Sequence, residues 1–241
     1  MRILTTHRSP NFDGRGHQAV DMLIIHYTDM LSAEAARDRL CDAAAQVSAH
    51  YLIAESGDIY ALVDESQRAW HAGVSAWRGA SNINARSIGI ELANPGHSHG
   101  YVPFPQAQMQ ALAALCQGIV SRHPISPRNV QGHSDVAFLR KLDPGELFDW
   151  QWMAAQGIGL FPQHVAPISG HEMQRGEKGE TVMRLQQSLA NWGYGLKIDG
   201  EYGEKTEACV MAFQRHFLPQ ALTGRWCNAS AGMLTALHAE I

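Results

Sequence analysis

The chain has 241 residues, enough for one or two domains. Hydrophobic residues make up 45% and charged residues 17%, an ordinary globular composition that excludes a disordered chain. The formal net charge is −4 with no Lys/Arg block, which argues against nucleic acid or an anionic membrane surface as partner, and no apolar run approaches the roughly 18 residues of a membrane span.

The opening MRILTTHRSPNFDGRG carries charge but no apolar core behind it, so it does not read as a signal peptide. The expectation is a cytoplasmic protein, or a periplasmic or outer-membrane-associated one if a leader has been removed. DMLIIHYT, residues 21–28, is a short β-branched run without helical spacing and predicts a buried strand ending near His26. AEAARDRLCDAA, residues 33–44, is Ala-rich and helical. VSAHYLIAESGDIYALVD alternates, turns at Ser56-Gly57-Asp58 and alternates again, a β-hairpin pattern. RSIGIELAN, residues 86–94, predicts another strand. After Pro105 a helical stripe follows through Met109, Leu112, Leu115, Cys116 and Ile119, closed by Pro124. NVQGH, residues 129–133, reads as a short strand before a loop bearing Pro144 and Gly145. The alternation of strands and helices predicts an α/β (α+β) fold, a mixed β-sheet flanked by helices.

From Gly157 the pattern lapses into Gly- and Pro-rich sequence. Beyond it come three helical stripes: Val182, Leu185 and Leu189; Val210, Phe213 and Phe217; Met233, Leu234 and Leu237. The expected division is a first, sheet-containing domain over 1–162, a linker over 163–175 and a small three-helix domain over 176–241. No internal repeat is apparent. Cys41, Cys116, Cys209 and Cys227 lack metal-ligand spacing and do not suggest a disulfide framework.

The thirteen histidines stand out. No HxxxH or HExxH spacing occurs, but His26 and His133 each follow a predicted strand, where a rigid sheet can aim a ligand into a cleft. Asp143 comes ten residues after His133, in KLDPG. Three such groups plus a water make a catalytic zinc site. On spacing alone this is a weak inference, since a lone strand-end histidine is more often a hydrogen-bonded structural residue.

Taken together and in order, IIHYT, VSAHYLI, AWHAGVSAW, SIGIELAN and GHSDVAFLRKLDPGELFDW resemble the AmpD/AmiD-type zinc N-acetylmuramoyl-L-alanine amidases, over about residues 21–162. The resemblance implies one zinc ion per chain, bound by His26, His133 and Asp143, with Glu91 and Lys141 as catalytic residues. The implied reaction is hydrolysis of the amide between N-acetylmuramic acid, or its anhydro form, and L-alanine in peptidoglycan or muropeptides. Glu91 would take a proton from water and pass it to the leaving amine, and Lys141 would share the charge of the tetrahedral intermediate. The alternative is a muropeptide recognition protein that binds without cutting; such relatives typically lack a zinc ligand.

Other positions carry two readings each. His71 in AWHAG and Trp77 are candidate substrate-binding residues, with structural packing as the alternative. His50 reads as a buried supporting residue; some relatives have a catalytic tyrosine just before it, where this chain has Ala49. Asp135 either orients a ligand histidine or caps the following loop. His97, His99, His164 and His171 lie in polar loops and read as solvated. The chain departs from the family pattern at Asn84-Ala85-Arg86, in AFLRK and in GELFDW, which bears on the shape of the cleft.

GEKGETVMRLQQSLANWGYGLKIDGEYGEKTEACVMAFQRHF resembles the peptidoglycan-binding domain of cell-wall hydrolases. Such a module raises local substrate concentration on a polymer. The alternative is a helical cap that stabilises the catalytic domain without touching substrate.

Overall fold

The computed structural model describes residues 2–166 and 168–240. In chain order the strands are β1 (Ile3–Leu4), β2 (Phe12–Gly14), β3 (Met22–Tyr27), β4 (Tyr51–Ile53), β5 (Ile59–Ala61), β6 (Gln67–Ala69), β7 (Ser87–Leu92) and β8 (Val130–Gly132). The helices are α1 (Ala33–Cys41), α2 (Ile83–Arg86), α3 (Gly96–His99), α4 (Gln106–Arg122), α5 (His133–Val136) and α6 (Trp150–Ala155), then α7 (Glu180–Trp192), α8 (Glu204–Phe217) and α9 (Asn228–Ala239).

A mixed sheet runs in the order β1-β5-β4-β7-β3-β8, parallel throughout except for the β4–β5 hairpin. All six residues of β3 are buried, which is why the segment reads as an unbroken apolar run: a central parallel strand is covered on both faces. The faces differ in chemistry. Leu23, Ile25, Ile88, Ile90 and Leu92 point one way and pack on the α4 stripe of Met109, Leu112, Leu115, Cys116 and Ile119. The period of two then puts His26, Gly89 and Glu91 on the opposite face. α1 starts where the Ser32 hydroxyl accepts from the Ala35 amide, and α4 ends before Pro124, which cannot continue a helix. The short β2–β6 pair was not anticipated, because three-residue strands leave no measurable alternation.

The C-terminal stripes are the buried faces of α7, α8 and α9. An internal repeat, not apparent along the sequence, does exist here. Gln186 Oε1 accepts from the Asp199 and Gly200 amides while its Nε2 donates to Glu201 O and Thr206 Oγ1. Gln214 does the same with Thr223, Gly224, Arg225 O and Ser230 Oγ. The repeat lies in the partners of two buried glutamines, and too few identities accompany it to register along the chain. All four cysteines are free.

The helical unit is fused to the sheet unit. One apolar cluster continues from Met22, Ile24, Trp77 and Val136 into Leu189, Trp192, Tyr194 and Phe213. The Arg128 guanidinium lies over the Trp192 ring at 5.0 Å and donates to Trp192 O at 2.8 Å. Among the described residues no helix is long and apolar enough to cross a membrane.

Candidate metal centre

β7, β3 and β8 are neighbours, and their carboxyl ends deliver the site. His26 of β3 is in register with Glu91 of β7, and Ile25 pairs with Gly132, so His133 begins α5 beside His26. Open parallel sheets place ligands at this end because the strands stop there and the connecting loops close over it. The loop after α5 returns Asp143, whose carbonyl accepts from the Ser134 amide at 2.8 Å.

His26 Nδ1, His133 Nδ1 and Asp143 Oδ2 form a nearly equilateral triangle with sides of 3.0, 2.9 and 3.0 Å. All three residues are buried. The outer nitrogens fix the tautomers. His133 Nε2 faces the Ala72 carbonyl at 3.1 Å, with the Arg140 guanidinium farther off at 3.3 Å, and donation to the nearer carbonyl leaves Nδ1 unprotonated. His26 Nε2 meets His71 Nδ1 at 3.0 Å, His71 Nε2 meets Ser87 Oγ at 3.2 Å, and the Ser87 hydroxyl donates to Ile83 O at 2.7 Å. Because that terminal carbonyl can only accept, each link donates toward it, Ser87 to Ile83, His71 Nε2 to Ser87 and His26 Nε2 to His71, which leaves His26 Nδ1 unprotonated. Two imidazole lone pairs and a carboxylate oxygen therefore converge on one point. Without a cation they repel one another; three ligands about 2.0–2.1 Å from a common zinc-sized ion would stand roughly 3.3 Å apart, close to what is seen. The donor set fits a metal.

Electrostatics agree. Burial, reinforced by His133, lowers the His26 pKa to about 4, so the ring is neutral and ligand-ready. Burial alone would raise the Asp143 carboxyl, but the two imidazoles hold it well below the usual carboxylate range.

Glu91 stands at the floor of the same cleft. Its Oε2 is sealed from solvent and has no hydrogen-bond partner among the described residues. Burial first, and the charge of Asp143 second, push its pKa well above the ordinary value, with Lys141 pulling it back. Lys141 is partly buried and lines the cleft with Glu91. The cleft measures about 370 Å³ and is walled in addition by Leu40, Trp70, Arg39 and Arg140.

The two candidate substrate-binding residues fare differently. His71 borders the cleft, but its ring is engaged behind His26 and lies so close to Gly89 that a β-carbon there would come within 2.4 Å of it. The glycine of the SIGIE strand is thus room for a histidine. Trp77 corrects the substrate expectation: it is only 1% exposed and packs against Tyr194 at 5.3 Å and against Gly193, between the two units. Sequence could not distinguish this, because an aromatic side chain suits a sugar face and a domain interface equally.

His50 is fully buried, accepts from the Gly89 amide at 2.9 Å, and has its pKa lowered to about 3 by burial and by Arg15. Asp135 accepts from the Gly132 amide at the start of α5, before it in the chain rather than in the following loop. His97 is exposed, as expected, yet it is not without neighbours. It stacks on Tyr101 at 4.5 Å, meets the Tyr27 hydroxyl at 2.7 Å, and lines the cleft mouth. His99 and His164 are exposed, and His171 pairs with Glu177 at the surface.

Comparison with known proteins agrees with this geometry. Residues 16–146 match the N-acetylmuramoyl-L-alanine amidase family, and residues 178–226 match a family of peptidoglycan binding domains. The chain is 40% identical over 221 residues to N-acetylmuramoyl-L-alanine amidase AmiD of Escherichia coli, covering 85% of this chain and 77% of that protein. It is 43% identical over 128 residues to the 1,6-anhydro-N-acetylmuramyl-L-alanine amidase AmpD of Citrobacter freundii, 53% of this chain and 62% of that one. The solved complex of E. coli AmiD with anhydro-N-acetylmuramic acid-L-Ala-D-gamma-Glu-L-Lys superposes with a TM-score of 0.80 at 35% identity, covering 98% of this chain and 93% of that one. AmpDh3 of Pseudomonas aeruginosa with an anhydromuramic pentapeptide gives 0.75 at 28% identity, covering 98% and 96%. This chain, with three buried donor atoms converging at the end of a mixed sheet, belongs to the N-acetylmuramoyl-L-alanine amidase family.

Proposed function

We propose that His26, His133 and Asp143 hold one zinc ion and that the enzyme hydrolyses the amide between N-acetylmuramic acid, or its anhydro form, and L-alanine in peptidoglycan or muropeptides. The observation that carries this reading is the convergence of three buried candidate ligand atoms beside a carboxylate oxygen that has no hydrogen-bond partner among the described residues. When bound, zinc supplies Lewis acidity that activates water near neutral pH and polarises the carbonyl under attack.

The chain's own residues do the rest. Glu91 accepts the proton of the attacking water and delivers it to the departing amine nitrogen, which is a poor leaving group until protonated. Burial, with the charge of Asp143 behind it, raises its pKa well above the ordinary carboxylate value, which strengthens it as a proton acceptor. Lys141 donates to the oxyanion of the tetrahedral intermediate; loss of one such donor typically costs on the order of 10²–10³ in rate. His71 and the Ala72 carbonyl hold the two ligand imidazoles in the required tautomer. The cleft receives the sugar–peptide junction. In this reading residues 1–162 are the catalytic domain, 163–175 the linker and 176–241 the wall-binding unit.

The test is mass spectrometry of products after zinc-loaded protein meets normal and anhydro-muropeptides, with a chelated control. Release of stem peptide with a free L-alanine amino terminus, only when metal is present, supports the amidase. Stoichiometric binding of muropeptide without cleavage, metal being bound, would replace it with a recognition protein. Turnover of soluble fragments fits a recycling role in the cytoplasm; turnover of intact wall alone fits work in the periplasm.

A further inference from the structure

We infer that the C-terminal unit is built into the metal centre: Tyr194 and His216 are positioning residues that hold Asp135, and through it the Gly132–His133 junction, in place. Asp135 is fully buried, two residues after the ligand His133. Its carboxylate receives three donors. The Gly132 amide reaches Oδ2 at 2.8 Å from within the same turn. The other two come from the helical unit, the Tyr194 hydroxyl to Oδ1 at 2.9 Å and His216 Nδ1 to Oδ2 at 2.8 Å.

α5 is a single turn of four residues, too short to define its own position. The Gly132–Asp135 hydrogen bond sets where that turn begins, and His133 is its first residue. Fixing the Asp135 carboxylate therefore fixes the ligand's backbone. The two outside donors are themselves held rigidly. His216 is stacked between Trp150, 3.9 Å away and nearly parallel, and Phe217 at 4.0 Å. Tyr194 is seated between Trp77 at 5.3 Å and Phe138 at 6.2 Å. A buried carboxylate stripped of two of its three donors must rotate toward other partners, and that rotation frees the turn. A module that served only to retain polymer would not need to enter the interior beside a ligand.

The activity arm of the test rests on the amidase reading; the metal arm does not. In the full chain, Tyr194→Phe and His216→Phe remove each donor while keeping a ring in place, and His216→Asn returns an N–H near the Nδ1 position. Zinc affinity is measured by competition with a chromophoric chelator, the ligand field by the visible spectrum of cobalt-substituted protein, folding by Tm, and turnover on a soluble muropeptide. The double Phe variant is expected to weaken zinc binding about 10–100-fold and to alter the cobalt bands. On the muropeptide it should lower kcat with little change in KM, and His216→Asn should restore most of both. A folded double variant with wild-type zinc affinity and cobalt spectrum would overturn the inference and reduce these contacts to domain adhesion. If the double variant does not fold, Tyr194→Phe, which removes a single oxygen, decides the matter by the same two metal measurements. If wild-type protein binds zinc yet cuts no muropeptide, the amidase reading falls while the metal measurements still judge this one.

Discussion

The sheet unit and the helical unit both bury polar side chains, and they treat them differently. At the carboxyl end of the sheet, the three proposed ligand atoms face one another across about 3 Å and Glu91 Oε2 has no partner among the described residues. In the helical unit, Gln186 and Gln214 are equally buried, and each satisfies both ends of its amide against a turn. Satisfied polar groups specify a fold; unsatisfied ones store chemistry at a cost in stability. The contrast predicts that substitutions in the first set will remove activity without unfolding the protein, and substitutions in the second will do the reverse.

The largest expected effect is at the ligands. His26→Ala or Asp143→Ala should abolish stoichiometric zinc and reduce muropeptide turnover by on the order of 10³-fold or more, as chelation should in the wild type. Metal analysis beside product assay checks it, and retained zinc with retained activity would remove the assignment. Glu91→Gln should lower kcat by roughly 10²–10⁴-fold while zinc stays bound. Because the substitution removes a buried carboxyl without a partner, the Tm of the metal-free protein should hold or rise; a clear fall would show that Glu91 is structural.

Gln214→Ala or Gln186→Ala is the mirror experiment. Each leaves two turn amides without their acceptor and should cost about 2–4 kcal/mol by denaturant unfolding. The surviving folded fraction should retain its zinc.

The smallest effect sharpens the comparison by placing a satisfied group inside the sheet unit. Glu65 accepts from Tyr51, Arg122 and His123, each at 2.7 Å. Burial alone would raise its pKa, but these donors bring it down to about 2. The folded value lies below the unfolded one of about 4.3, so the stabilisation is complete above that pH and is lost as pH falls toward 2. Glu65→Gln should cost about 1–3 kcal/mol at neutral pH and flatten the acid limb between roughly pH 4.5 and 2. An unchanged acid limb would show that another carboxylate governs it.

Local pattern carried far. The strand ending at His26, the hairpin turning at Gly57, the helix after Pro105 and the three C-terminal stripes were all legible, since burial imposes a period of 2 or 3.6 on contiguous residues. The mixed α/β class followed from their alternation, and the family from motifs that are each contiguous. Spacing alone left His26, His133 and Asp143 open between ligands and structural residues. The closing of these three side chains to 3 Å is a property of neighbouring strands β3 and β8 and of the loop that returns Asp143.

Tertiary structure alone decided what each side chain touches. It set His71 over Gly89 and behind His26, turned Trp77 from the cleft to the domain boundary, and gave two glutamines the same task on successive turns. It also brought Tyr194 and His216 to Asp135 across 59 and 81 residues. A sequence records which residues are buried, because burial constrains each residue type where it stands. It does not record their partners, because a contact between distant segments constrains only the pair, and either member alone looks like any buried tyrosine, histidine or tryptophan.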